Sequence, residues 1–76
     1  MTRNEFFAEF ELLLHQEPGS IQGTESLIDL PGWDSLAHVE FAMFAESELG
    51  ETVSPGAVAV CRRVQDLVNL FPGKIE

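Results

Sequence analysis

The apolar positions near the start of the chain repeat at the spacing of a helix. With about 100° of rotation per residue, one sector of that helix contains Phe6, Phe7, Phe10, Leu13 and Leu14. Glu9 and Glu11 fall outside the sector, so the pattern predicts an amphipathic helix from about Arg3 to His15. Thr2 followed by Glu5 matches a capping box, in which the two side chains satisfy free N–H groups at the helix start.

The helical period is lost from Ser20 to Asp34. Pro18 and Gly19 end the first helix, because proline disfavours the helical conformation at the residue before it and glycine permits a turn. A connection this long in a small domain is usually functional or packed down by its own side chains. We expect a loop held over the core by its aliphatic residues, which are Ile21, Leu27, Ile28 and Leu30.

A second helix is predicted from Asp34 or Ser35, either of which can cap it, to about Leu49, before a glycine. The side that faces the core carries Ala37, Phe41, Phe44, Ala45 and Leu49. The opposite side, here called the docking stripe, carries Leu36, Val39, Glu40, Met43, Glu46 and Ser47. A core this small cannot bury both sides, so the docking stripe is predicted to be a contact surface. The alternative is that Leu36 and Val39 pack beneath the long loop.

The C-terminal part of the chain contains two further helical segments. Ser54 and Pro55 form a cap followed by proline at the first helical position, which opens a short helix through residues 57–60. A last helix is predicted from about Arg62 to Leu70. Residues 1–76 are thus predicted to form one all-α domain, a small antiparallel bundle of three main helices plus one short helix, with a long loop between helices one and two. The core is expected to bury Phe10, Phe41, Phe44 and Leu67 together.

Composition narrows the classes of function. The chain has four basic and thirteen acidic residues, a formal charge of −9, and 45% hydrophobic residues. This charge argues against nucleic-acid binding, which needs a basic patch, and against docking on anionic membranes. No apolar run is long enough to span a membrane, so we expect no membrane insertion. The N-terminus lacks a signal-peptide pattern and the single cysteine suits a reducing compartment, so we expect a cytoplasmic protein. We also expect it to act as a monomer.

The acidic residues are unevenly distributed. Eleven of the thirteen lie between Arg3 and Arg62, a stretch that contains no Lys or Arg. One interpretation is a solvated surface that keeps the protein soluble. The other is an acidic docking face that speeds the encounter with basic partner proteins. Composition alone leaves both open.

No catalytic or metal-binding constellation emerges from the sequence. His38 follows Ser35 by three positions, but a serine at a helix start is most often a cap, and no acid or oxyanion site accompanies the pair. Cys61 lies among valines and is interpreted as a small core residue rather than a reactive thiol. One cysteine and two histidines give no cluster that would hold zinc. We therefore expect no catalytic residues and no metal site.

Residues 34–41, Asp-Ser-Leu-Ala-His-Val-Glu-Phe, resemble the signature of the acyl carrier proteins. The resemblance continues at Met43, Glu46, Glu48, Leu49, Val53, Pro55 and residues 64–67. It also covers the amphipathic first helix, so nearly the whole chain agrees with the family in length and order. Gly32 and Trp33 are more similar to the D-alanyl carrier proteins and other discrete carriers of specialised pathways. Phe41 and Phe44 depart from the fatty-acid carriers and alter the interior in which those members fold long acyl chains.

The resemblance implies a helical carrier that performs no catalysis. Ser35 would carry 4′-phosphopantetheine covalently, with Asp34 and Leu36 beside it, and the cofactor thiol would hold an acyl or aminoacyl group as a thioester. The docking stripe would meet the partners: a phosphopantetheinyl transferase, an acyl- or aminoacyl-adenylating ligase or an acyltransferase, and downstream acyl-using enzymes. Fatty-acid or secondary-metabolite biosynthesis is the setting that this family implies.

Two other functions remain as alternatives to the carrier. The first is an adaptor or regulatory helical domain that uses the same acidic stripe and is never modified. The second is a small hydrolase built on Ser35 and His38, which has little support in the sequence.

Overall fold

The computed structural model describes all 76 residues, and its regular structure is helical. The elements in chain order are α1 (Arg3–Leu14), a 3-10 turn (Leu27–Asp29), α2 (Ser35–Phe44), a π-helical turn (Ala45–Leu49), α3 (Pro55–Ala59) and α4 (Val64–Val68). The π-helical turn directly continues α2, so the second helical segment ends at Leu49, as predicted. The prediction of a small all-α bundle with a long loop between its first two helices is confirmed.

The last helix is shorter than the sequence predicted. We expected it to run from Arg62 to Leu70, whereas α4 covers only Val64–Val68. The backbone at Arg63 is extended, and the N–H groups of Arg62 and Arg63 donate to the Asp66 carboxylate, each at 3.0 Å. The N–H groups of Leu70 and Phe71, just beyond α4, donate to carbonyls three residues back, which is the tighter 3-10 pattern. The bundle therefore has two longer helices and two short ones, rather than three and one.

An aromatic cluster joins α1 to α2. Phe6, Phe10 and Phe41 are buried, with ring centroids 6.0 to 6.2 Å apart. Contacts of this kind stabilise a core beyond the burial of apolar area. Leu67 of α4 is also fully buried, as expected. Phe44 is only half-buried, which corrects our expectation: it lies about 60° around the helix from Phe41 and thus at the edge of the core.

The long loop is held down by fewer aliphatic side chains than predicted. Ile21 and Leu27 are buried and Leu30 is half-buried, but Ile28 is 90% exposed and anchors nothing. A carboxylate takes part instead. Glu11 of α1 is buried and accepts a hydrogen bond from the Ile21 N–H at 2.9 Å, although the helical pattern placed it outside the apolar sector. Glu11 is inside because a buried backbone donor of the loop needs an acceptor.

The loop is also hydrogen-bonded to the start of α4. The Leu27 N–H donates to the Arg62 carbonyl at 2.8 Å, and the Val64 N–H donates to the Glu25 carbonyl at 3.2 Å. The Glu25 carboxylate accepts two N–H groups of its own loop, at 2.7 and 2.8 Å. Partial burial raises the pKa of Glu25, but these hydrogen bonds outweigh it and leave the pKa below its usual range. The loop is therefore a fixed part of the fold.

We expect the substitution Phe41→Ala to lower the free energy of unfolding by roughly 3–5 kcal/mol, the cost of emptying a buried aromatic site. Phe44→Ala is the matched control on the same helix, and its cost should be clearly smaller because Phe44 is only half-buried. Urea denaturation followed by circular dichroism measures both. Equal losses for the two variants would contradict the packing described here.

Candidate functional site

The start of α2 is fixed against the end of α1. Gly32 has a φ of +87°, and a Cβ atom at this position would lie 2.9 Å from the Leu14 carbonyl oxygen. Only glycine fits this close approach without displacing the backbone. The next residue, Trp33, packs on the aromatic cluster, with its ring 5.5 Å from Phe10 and 6.0 Å from Phe41. These two contacts determine where the Asp34-Ser35-Leu36 segment lies.

Asp34, and not Ser35, caps α2. The Asp34 carboxylate accepts the Ala37 N–H at 2.9 Å, and its backbone is extended, as is usual for a capping residue. Ser35 is the first helical residue, its side chain is exposed, and its hydroxyl makes no hydrogen bond within the chain. The N–H groups of Ser35 and Leu36 also make none, as expected for a helix start. The site therefore presents a free hydroxyl beside two free N–H donors.

The docking stripe lies on the surface. Leu36, Val39 and Met43 are 66%, 57% and 63% exposed. The alternative that Leu36 and Val39 pack beneath the long loop is therefore wrong. The polar members Glu40, Glu46 and Ser47 are exposed as well. Three large apolar groups bordered by carboxylates extend along one face of α2 and its π-helical turn, starting next to Ser35.

The carboxylates of the docking stripe are not neutralised by basic side chains of the chain. The only ion pair in the chain joins Lys74 and Glu51, at 3.8 Å. Neither Glu40 nor Glu46 has a basic partner, and no Lys or Arg occurs between α1 and Arg62. Unpaired carboxylates around an apolar strip attract a basic partner surface over a distance set by ionic strength.

The contacts of His38 and Cys61 do not form a nucleophilic site. The His38 ring packs against Trp33 in a tilted arrangement, with centroids 4.4 Å apart, and makes no hydrogen bond to Ser35. The Cys61 thiol donates to the Ala57 carbonyl at 3.4 Å. Burial, with a smaller contribution from the Asp66 charge, raises the pKa of Cys61 and keeps the thiol protonated. We expected Cys61 to be a core residue, but it is only half-buried and lies at the edge of the core.

Two clefts open on the side of α2 that carries His38. The larger, called here the arginine cleft, has a volume of about 550 Å³. Its walls include Leu27 and Ile28 of the loop, Trp33 and His38, and Val58 and Arg62 on the far side. A smaller cleft of about 230 Å³ lies between α2 and α3 and includes Val39, Val53 and Pro55. His38 and Val58 border both clefts.

Sequence reasoning did not find the arginine cleft. Its walls come from the long loop with its 3-10 turn, from α2, from α3, and from the segment that connects α3 to α4. These segments are far apart in the chain, and none carries a motif by itself. Two exposed residues could have pointed to it: Ile28, an apolar side chain of the loop, and Arg62, a basic side chain in a strongly acidic chain.

Comparison of the chain with protein-family models, with curated proteins and with solved structures found no match. None of the helices combines the length and the apolar character needed to cross a bilayer. No group of three or more His, Cys, Asp or Glu side chains is arranged to hold a metal ion. The function of the site therefore has to be inferred from its own geometry and from the motif that it contains.

Because Asp34 and not Ser35 caps α2, replacing each with alanine should affect stability differently. Asp34→Ala should lower the free energy of unfolding by about 0.5–2 kcal/mol, because it removes the acceptor of the Ala37 N–H. Ser35→Ala should change it by no more than about 0.5 kcal/mol, because its hydroxyl is bonded to nothing. Urea titration of both variants measures the difference. A larger loss for Ser35→Ala would show that Ser35 is the cap.

Proposed function

We propose that this protein is an acyl or aminoacyl carrier in which Ser35 holds 4′-phosphopantetheine. The single observation that carries the proposal is the state of Ser35. It is exposed at the first position of α2, and its hydroxyl is free because Asp34 supplies the cap. The resemblance of residues 34–41 to the acyl carrier signature supports the same assignment.

The residues at the start of α2 fit the chemistry of the group. A phosphodiester carries a negative charge, and the free N–H groups of Ser35 and Leu36 lie at the positive end of the helix dipole. Ser35 supplies the oxygen that forms the new bond to phosphorus. Its proton passes to a base of the transferase, and adenosine bisphosphate leaves from coenzyme A. When attached, the group supplies a thiol that carries an acyl or aminoacyl cargo as a thioester.

The docking stripe supports transient delivery to enzymes. Leu36, Val39 and Met43 provide a small apolar contact, and the carboxylates of Glu40 and Glu46 border it. Rapid exchange between partners requires fast association and fast dissociation, which charge steering provides better than a large buried interface. The partners are then a phosphopantetheinyl transferase, an adenylating ligase or acyltransferase that loads the cargo, and enzymes that use it. We place this cycle in the cytoplasm, with the carrier acting as a monomer.

The same exposed stripe also suits an adaptor that is never modified. An adaptor would need the apolar strip and its carboxylates, but it would have no use for an uncapped hydroxyl next to them. The feature that favours the carrier is therefore Ser35 and not the acidic surface. Covalent loading separates the two functions.

The first test is loading with coenzyme A and a phosphopantetheinyl transferase, followed by intact mass measurement. The parent should gain the mass of one phosphopantetheine group, and Ser35→Ala should gain none. Ser20→Ala, at an exposed loop serine, is the matched control and should load like the parent. An unmodified parent, or mass gained by Ser35→Ala, would contradict the assignment.

The second test concerns the docking stripe. Glu40→Lys should slow loading at low salt more than Glu9→Lys does. Both residues are exposed, and both substitutions change the net charge by the same amount. Glu9 lies on α1, away from the stripe. The difference should shrink as salt rises, because screening shortens from about 10 Å at 0.1 M to about 3 Å at 1 M.

Circular dichroism of the two charge-reversal variants excludes a folding defect as the cause of slower loading. If Glu40→Lys and Glu9→Lys load at the same rate at low salt, the chain has only a generally acidic surface and no localised docking stripe.

A further inference from the structure

The interior of the bundle leaves no room for a cargo. Phe6, Phe10 and Phe41 are at most 2% exposed and fill the space between α1 and α2. Protein cores are packed as tightly as organic crystals, so a chain entering here would have to displace these rings. A cargo attached through Ser35 must therefore be short enough to stay at the surface or lie in a surface cleft.

The arginine cleft begins one turn along α2 from Ser35. His38, which forms part of its wall, is three residues from Ser35, and helix positions three apart are neighbours on the same face. The cleft volume of about 550 Å³ is within the range of small-molecule sites. Leu27, Trp33 and Val58 give it apolar walls that suit the methylene groups of a short chain.

Arg62 gives the arginine cleft a positive charge. Its guanidinium forms no ion pair and no hydrogen bond within the chain, even though the chain carries a charge of −9. The carboxylate closest to it in sequence is that of Asp66. That carboxylate accepts the backbone N–H groups of Arg62 and Arg63, which hold its pKa below the usual range. The other titratable groups of the cleft are His38 and the protonated thiol of Cys61.

We propose that the arginine cleft holds the distal end of the cargo and that the cargo is a short acyl group ending in a carboxylate, bound by Arg62. This proposal rests on the carrier function proposed above. A guanidinium matches a carboxylate in charge and in planar geometry. A purely aliphatic end would displace water from the guanidinium without replacing the hydrogen bonds that the water makes, which is unfavourable. An amino group at the end, as in an aminoacyl cargo, would be repelled by Arg62.

The test uses three phosphate-free probes that differ only in the end of the acyl chain: succinyl-pantetheine, its uncharged analogue 4-oxopentanoyl-pantetheine, and β-alanyl-pantetheine. Each is titrated into the unmodified protein and followed by the amide and indole signals of the cleft in NMR spectra. Succinyl-pantetheine should bind about two- to fivefold more tightly than the uncharged probe, as expected for an exposed ion pair. β-Alanyl-pantetheine should bind most weakly.

Two variants distinguish an ion pair with Arg62 from an effect of the protein's net charge. Arg62→Gln should abolish the preference for succinyl over the uncharged probe. Arg3→Gln is the matched control, because it removes the same charge from an exposed arginine on α1 and should leave the preference intact. Equal affinities for the succinyl and uncharged probes in the parent, or an unchanged preference in Arg62→Gln, would overturn the proposal. A preference for β-alanyl-pantetheine would overturn it in favour of an aminoacyl cargo.

The same three acyl groups can also be attached at Ser35, where tethering raises their effective concentration. The succinyl form should then shift the signals of Arg62 and Trp33 more than the uncharged form does. If neither the free nor the attached succinyl group shifts these signals, the proposal fails. Because the free probes need no modification of Ser35, failure of the cleft proposal is distinguishable from failure to load, which would instead contradict the carrier function.

Discussion

The contact between Gly32 and the end of α1 is the constraint on which the site depends. A Cβ atom on residue 32 would lie only 2.9 Å from the Leu14 carbonyl oxygen, and the backbone there has a positive φ. That turn delivers Trp33 to the aromatic cluster and Asp34 to the capping position. The location of Ser35 and the direction of α2 both follow from it. A larger residue at position 32 would displace Ser35 without touching it.

Two sets of carboxylates in this chain have different physical roles. Glu11, Glu25, Asp34 and Asp66 accept hydrogen bonds from backbone N–H groups of the loop or of helix starts, and so they hold the fold together. Glu40 and Glu46 have no such partners and border the exposed apolar groups of the docking stripe. The high net charge is therefore not a uniform property of the surface. Glu40 and Glu46 are exposed and unpaired, so they are free to attract a partner to the docking stripe.

At the start of α2, Asp34 caps the helix and Ser35 presents a free hydroxyl, although a single serine could have occupied the cap position. Serine is a good helix cap, and a hydroxyl used as a cap is less available to react. Here Asp34 accepts the Ala37 N–H, which leaves the neighbouring hydroxyl of Ser35 exposed and unbonded. The two open N–H groups of Ser35 and Leu36 complete a site suited to a phosphodiester. The arginine cleft lies on the side of α2 that carries His38, and Arg62 gives it a charge opposite to that of the chain.

The sequence by itself determined the elements whose causes are local. The period of α1, the capping box at Thr2, the proline at the start of α3 and the exposed stripe of α2 were all predictable, because each depends on residues a few positions apart. The tertiary structure decided the rest. Burial of Glu11 depends on a backbone donor ten residues away, the short α4 depends on pairing with the loop, and the choice of Asp34 over Ser35 depends on how Gly32 packs. The arginine cleft forms only where segments distant in sequence pack together, and a local pattern of side chains does not predict such packing.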